Sequence, residues 1–163
     1  MKKQIFSLLM LLLAAMNMQA ADGITVKFDV KNPVLTNVVL VYHMSVNEYA
    51  LTDGKATVQL DGMDALYANV YYGEKFKIVY LQKGDDMTIS FDANDFDNTF
   101  AVKGGNEKAV DYLNKIQLSD LADDAYKLPW DEFKTTVDKK IASMKRLLKA
   151  RKFAADDKFQ KME

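Results

Sequence analysis

The chain has no cysteine, one histidine, two prolines and seven glycines in 163 residues. Without cysteine, thiol redox chemistry, thiolate metal sites and a cysteine nucleophile are excluded within this sequence. No disulfide can staple it, so it must fold on an apolar core. His43 is the sole histidine, which rules out a multi-histidine zinc site and makes it the only partner for a serine–histidine couple. It closes an apolar run, where a strand-edge histidine is the favoured reading. The glycines are single except for Gly104-Gly105, so no phosphate-cradling GxGxxG or P-loop is present. No strong charge excess exists either: 22 basic residues face 23 acidic ones.

The first residues have the order of a secretory leader: a positive start, a short apolar run, then small residues at a cut. Lys2 and Lys3 open it, residues 5–15 (IFSLLMLLLAA) form the apolar core, and Ala20-Ala21 offers the cleavage site. Cutting after Ala20 leaves Met18 at the third position back, and cutting after Ala21 leaves Gln19 there, so the bond stays open between the two. A bilayer span needs roughly 20 apolar residues, and this run breaks at Asn17 and Gln19. The sequence therefore predicts a signal peptide over residues 1–21, an exported and most readily periplasmic chain, and no stable membrane anchor after cleavage. Losing Lys2 and Lys3 leaves a formal charge of about −3, which argues against nucleic-acid binding.

From residue 22 to 105 the pattern is short β-branched and aromatic runs between turn residues, with no helical period. Strands are expected at 24–30, 36–43, 48–52, 55–60, 66–72, 75–81, 87–91 and 99–102. Eight strands at such spacing predict an antiparallel β-sandwich-like domain, its closure into a barrel left open. Asp53-Gly54 reads as a type I′ hairpin turn, because both centres need positive φ; it is expected to pair 49–52 with 55–58. Gly73-Glu74 is a second hairpin turn.

At Gly104-Gly105 the character changes, and residues 106–163 read as helical. Asn106 is a candidate N-cap with Glu107 beside the positive helix end. A helix of about a dozen residues follows, with Val110, Leu113 and Ile116 on its apolar side. After a connector, Pro129 suits the first position of a second helix. Its apolar residues, Trp130, Phe133, Val137, Ile141, Met144, Leu148, Ala155, Phe159 and Met162, hold one stripe at steps of three, four or seven. No glycine, asparagine or proline ends that pattern, so the sequence predicts a helix open at residue 162 and a linker to a missing domain.

Three features invite chemistry. The stretch from Asp92 to Asn98 is rich in carboxylates, but an EF-hand register would put Phe96, Asp97 and Lys103 where a ligand, a glycine and a glutamate belong, so a solvated loop is expected; Asp85-Asp86 likewise reads as a turn. From Lys139 to Lys152 inclusive there are seven basic residues and no acid, which reads as a solvated helix face, the alternative being attraction to a membrane surface or an acidic partner. In the 66–72 strand, alternation puts Tyr67, Asn69 and Tyr71 on one face and Leu66, Ala68, Val70 and Tyr72 on the other. The second set reads as core, while the first is the candidate binding surface, or else is covered by the helices. No catalytic, cofactor-binding or metal residue emerges.

The segment Thr52-Asp53-Gly54-Lys55-Ala56-Thr57-Val58 followed by Leu66-Tyr67-Ala68-Asn69-Val70 resembles an uncharacterised β domain of exported Bacteroidetes proteins. The stretch from Tyr80 through Lys83-Gly84-Asp85 to Ile89 resembles that family's strand–turn hairpin, and Phe100 through Asn106 to Tyr112-Leu113 its strand, glycine and helix. The resemblance spans roughly residues 24–160. In that family the domain and its helices commonly precede a thioredoxin-like, TlpA/ResA-type domain with a CxxC. It implies that this chain is the non-catalytic accessory part of a thiol–disulfide oxidoreductase, the long helix packing on the β domain or on the redox domain. Partners so implied are a C-terminal thioredoxin-like domain or another periplasmic protein. The alternative is a stand-alone exported binding module. No redox residue carries over, since this sequence holds no cysteine.

Overall fold

The computed structural model describes residues 23–117, 121, 123–153, 157 and 159. The leader, with Ala20 and Ala21, lies outside them, as do Ala155 and Met162. The fold is mainly β with helices concentrated toward the C-terminal part. Among the described residues eight strands form: β1 (Gly23–Lys31), β2 (Asn37–Tyr42), β3 (Ser45–Ala50), β4 (Lys55–Asp61), β5 (Ala65–Tyr72), β6 (Lys75–Gln82), β7 (Asp86–Asp92) and β8 (Ala101–Lys103). Three α-helices with defined bounds accompany them among the described residues: α1 (Phe96–Thr99), α2 (Glu107–Gln117) and α3 (Trp130–Ala150). One sheet has the order β4-β1-β7-β8 and the other β3-β2-β5-β6.

Alternation along the strands builds the core. Ile24, Val26, Phe28 and Val30 of β1, Met87, Ile89 and Phe91 of β7, and Val58 and Leu60 of β4 meet Val38 and Leu40 of β2, Leu66, Ala68 and Val70 of β5, and Val79 and Leu81 of β6 in one buried cluster. Each fully buried aliphatic side chain contributes on the order of 1.5–3 kcal/mol by leaving water.

The Asp53-Gly54 turn forms, with φ of 52° and 76°, and Thr52 and Lys55 exchange backbone bonds of 2.9 and 3.0 Å. The expected hairpin does not extend beyond that bridge. β3 pairs instead with β2 in the second sheet, while β4 pairs with β1 in the first. The turn is thus a corner between sheets. Its cause is a close approach: the Val30 N–H donates to the Gly54 carbonyl at 2.8 Å, and a Cβ on Gly54 would lie 2.3 Å from the Val30 carbonyl oxygen.

Three further expectations are corrected. The β1–β7 ladder is parallel, whereas the other ladders are antiparallel; β1 and β7 are joined through the whole second sheet, and no local turn sets their direction. His43 does not end a strand but, with Met44, makes the two-residue turn between β2 and β3, at φ of 47° and 60°. Finally, the segment from Asp92 to Asn98 is not a plain loop: Asp92 caps a 3₁₀ turn by accepting the Asn94 N–H, and α1 follows with Phe96 fully buried. The Gly73-Glu74 hairpin joins β5 to β6 as expected.

Asn106 caps α2, its Oδ1 accepting the Ala109 N–H at 3.1 Å. Pro129 precedes α3 rather than opening it, and its carbonyl accepts the Phe133 N–H. The long stripe is cut short: α3 ends at Ala150, with Arg151 as C-cap and Lys152 at φ 51°. A left-handed lysine does here what glycine commonly does. The chain then returns Phe159, fully buried, to a second cluster with Tyr80, Ala109, Tyr112 and Leu113. Leu147 and Leu148 pack against that cluster, but no residue of α3 is buried, so most of its stripe does not lie on the β domain.

Helix α2 seals the β6 edge through one side chain. Asn114 Oδ1 accepts the Ile78 N–H at 2.9 Å, and its Nδ2 donates to the Ile78 carbonyl at 2.8 Å. The carboxamide takes the place of a neighbouring strand, closing an edge that would otherwise recruit one. Replacing Asn114 with Leu leaves two backbone groups unpaired, each worth about 1–3 kcal/mol. Urea unfolding of Asn114→Leu is expected to show a loss of about 2–6 kcal/mol, against almost none for Asn98→Leu at an exposed position.

Candidate functional site

Antiparallel pairing across the second sheet sets its outer face in rows. Glu48, Val39, Tyr71 and Phe76 stand in one row, and Val46, Val41, Asn69 and Ile78 in the next. Tyr67 and Tyr80 continue the series on β5 and β6. The three candidate residues therefore share a face, as alternation requires, and Leu66, Ala68, Val70 and Tyr72 are buried opposite.

The structure divides the candidate trio between two environments. Tyr67, 38% exposed, packs its ring 5.4 Å from Tyr80 and 6.3 Å from Phe159. Tyr112 and Phe153 approach Phe159 at 5.8 and 5.4 Å. Phe159 and α2 thus bury Tyr80 completely but cover Tyr67 only in part. Tyr71 lies in the other half, stacked on Phe76 at 5.1 Å and 26°, with Asn69 between the two tyrosines. An antiparallel sheet ordinarily turns polar residues outward. Here half-buried Val39, Val41, Tyr71, Phe76 and Ile78, with Val46 68% exposed, make the outward face apolar, and Asn69 and Glu48 are the polar members of those two rows.

Burial raises two phenols and one carboxyl group around the sandwich, and a lysine lowers a second carboxyl group. Burial, reinforced by the neighbouring Tyr42 hydroxyl, pushes the Tyr49 phenol up to about 12. Burial and then the negative fields of Asp157 and Asp85 raise the Tyr80 phenol, whose hydroxyl has no hydrogen-bond partner among the described residues. Asp85, 7% exposed, is raised by burial against the opposing Gln82 N–H, which its Oδ2 accepts at 2.9 Å. It is a buried turn carboxylate, deeper than the sequence indicated, while Asp86 pairs with Lys27 at 2.7 Å. Asp97 is lowered, first by its bond to Lys75, and it also pairs with Lys77 at 3.5 Å.

The carboxylates of the 92–98 stretch are spent on this local structure: Asp92 on Asn94 and Asn32, Asp95 on Asn98, Asp97 on the two lysines. Among the described residues no group of three or more histidines and carboxylates is placed to hold a metal ion, and no helix is long and apolar enough to cross a membrane. His43 is exposed at its turn, its ring edge-on to Tyr42 at 6.0 Å. Sequence reasoning missed Phe76 and Val46 as members of the apolar face; strand register, which only long-range pairing sets, was the absent information. No family model, curated protein or solved structure matches the chain.

The Tyr49 shift has a defined sign. Its folded pKa lies above the ordinary 10.0, so the neutral phenol's contribution is complete below pH 10 and is lost as pH rises toward 12. Stability measured by urea from pH 9 to 12 is expected to fall along that limb, and Tyr49→Phe is expected to flatten part of it. An unchanged limb in the variant contradicts the assignment.

Proposed function

We propose that this chain is a non-catalytic binding and accessory module of an exported thiol–disulfide oxidoreductase. One observation supports binding above all: the second sheet is apolar on both faces, its inner face filled by the core and its outer face bearing Val39, Val41, Tyr71 and Phe76. An outward apolar strip of this kind is characteristic of a surface that receives a protein. Tyr71 and Phe76 supply rigid aromatic area at small entropic cost, which is why aromatic residues recur at the centres of interfaces.

The family resemblance supplies the partner, a thioredoxin-like domain whose CxxC does the redox chemistry that this chain, without cysteine, does not perform. The module would hold that domain or present it to its substrate. The second reading, a stand-alone exported module whose outer face takes an unlinked protein, is favoured by the same strip and needs no tethered domain.

The two readings part at the coding sequence beyond Glu163. A thioredoxin-like segment with CxxC is the expected finding, together with a periplasmic product beginning at Ala21 or Asp22. A stop codon directly after Glu163 overturns the accessory reading and leaves the stand-alone one.

A further inference from the structure

Helix α3 carries its own binding information, separate from the sheet. It is about 31 Å long at 1.5 Å per residue, none of its residues is buried, and Trp130 and Ile141 are 71% and 43% exposed. Its two ends differ. At the N-terminal end Trp130 stands beside Phe133 at 6.1 Å, and Phe133 beside Tyr126 at 5.8 Å; Tyr126 is itself 69% exposed. Exposed Asp124, Asp131 and Glu132 are its neighbours in the sequence. At the C-terminal end a groove of about 470 Å³ has Leu148 and Phe153 as its apolar members and Lys145, Lys149 and Lys152 as its cationic ones. Arg151 is already committed to Asp111 at 2.7 Å, and midway Lys134 and Asp138 neutralise each other at 2.7 Å.

We infer that α3 is a self-association helix: two copies dock their α3 helices antiparallel, the acidic Trp130 knob of each entering the lysine-lined Leu148–Phe153 groove of the other. A two-fold axis beside Lys139 sets Trp130 opposite Leu148, Lys134 opposite Met144 and Val137 opposite Ile141. Asp131 of one copy then meets Lys145 and Lys149 of its mate, with Glu132 adding longer-range negative charge to that end, at both ends at once. That self-complementarity is what an isologous interface requires.

Charge decides against the other occupants. A parallel pair would set lysines on lysines. An anionic membrane would attract the C-terminal half and repel Asp124, Asp131 and Glu132 beside the very aromatics meant to insert. An acidic peptide would satisfy the groove and leave the knob bare. A second copy satisfies both.

The test uses the mature chain from Asp22 in sedimentation equilibrium at low salt. A dimer with Kd on the order of micromolar is expected, as suits a small interface, weakening as added salt screens the charges. Asp131→Lys with Glu132→Lys, and separately Lys145→Glu with Lys149→Glu, are each expected to weaken it at least about tenfold, close to 1.4 kcal/mol. All four positions are exposed, and circular dichroism melting is expected to match that of the parent chain. Mixing the two weakened variants in equal amounts is expected to restore a dimer, since each now complements the other at both ends. A parent chain that stays monomeric, double variants that stay dimeric, or a mixture that stays monomeric overturns the proposal. A monomer that floats with phosphatidylglycerol vesicles overturns it too, and gives the helix to the membrane.

Discussion

Gly54 and Val30 meet backbone to backbone where the chain leaves one sheet for the other, with a 2.8 Å bond between them and no room for a side chain at residue 54. Two strands adjacent in sequence are thereby sent to opposite layers, β3 to the second sheet and β4 to the first. The same contact pins β4 beside β1, and β1 then accepts β7 in parallel on its other side. Without that corner β3 and β4 would continue as an ordinary hairpin. The first sheet would lose its edge strand, and Val58 and Leu60 would leave the core.

Closing the sandwich in this way uses up the inner faces and leaves the outer surfaces with distinct fates. Helix α2 and Phe159 bury Tyr80 and leave Tyr67 partly exposed, and Asn114 seals the β6 edge of the second sheet. The Tyr71–Phe76 half stays outward and apolar. Helix α3 touches α2 and the 3₁₀ turn at Asp123–Lys127, sitting mostly beyond the core. The residues of the core and those of the outer face are therefore different sets. Tyr71→Asp is a change to a surface, whereas Val70→Asp one residue away is a change to the core.

The sequence made the elements legible because the relevant physics is local. Period-two alternation located the strands and separated Tyr67, Asn69 and Tyr71 from their buried neighbours. Asp-Gly announced the turn at 53–54, and Asn106 announced the start of α2. What escaped was non-local or locally disfavoured. Turn chemistry at 53–54 does not say whether pairing continues past the first bridge; only the approach of Val30 decides that. His43 and Met44 were hidden as a turn because neither is a usual residue at positive φ, and Lys152 hid the end of α3 for the same reason. The period from Leu148 to Phe159 suggested one helix, but α3 ends at Ala150, and Phe159, itself helical, is buried against Tyr80, Ala109, Tyr112 and Leu113.

Amide hydrogen exchange on residues 22–163 at submicromolar concentration tests most directly the claim that the inner faces hold the fold while α3 stands outside it. Amides of β1, β5 and β7 are expected to exchange slowest, near the limit set by global unfolding, and those of α3 from Trp130 to Met144 at least about a hundredfold faster through local opening. An α3 protected as strongly as β1 in the dilute monomer would contradict the account, because that helix would then belong to the cooperative core.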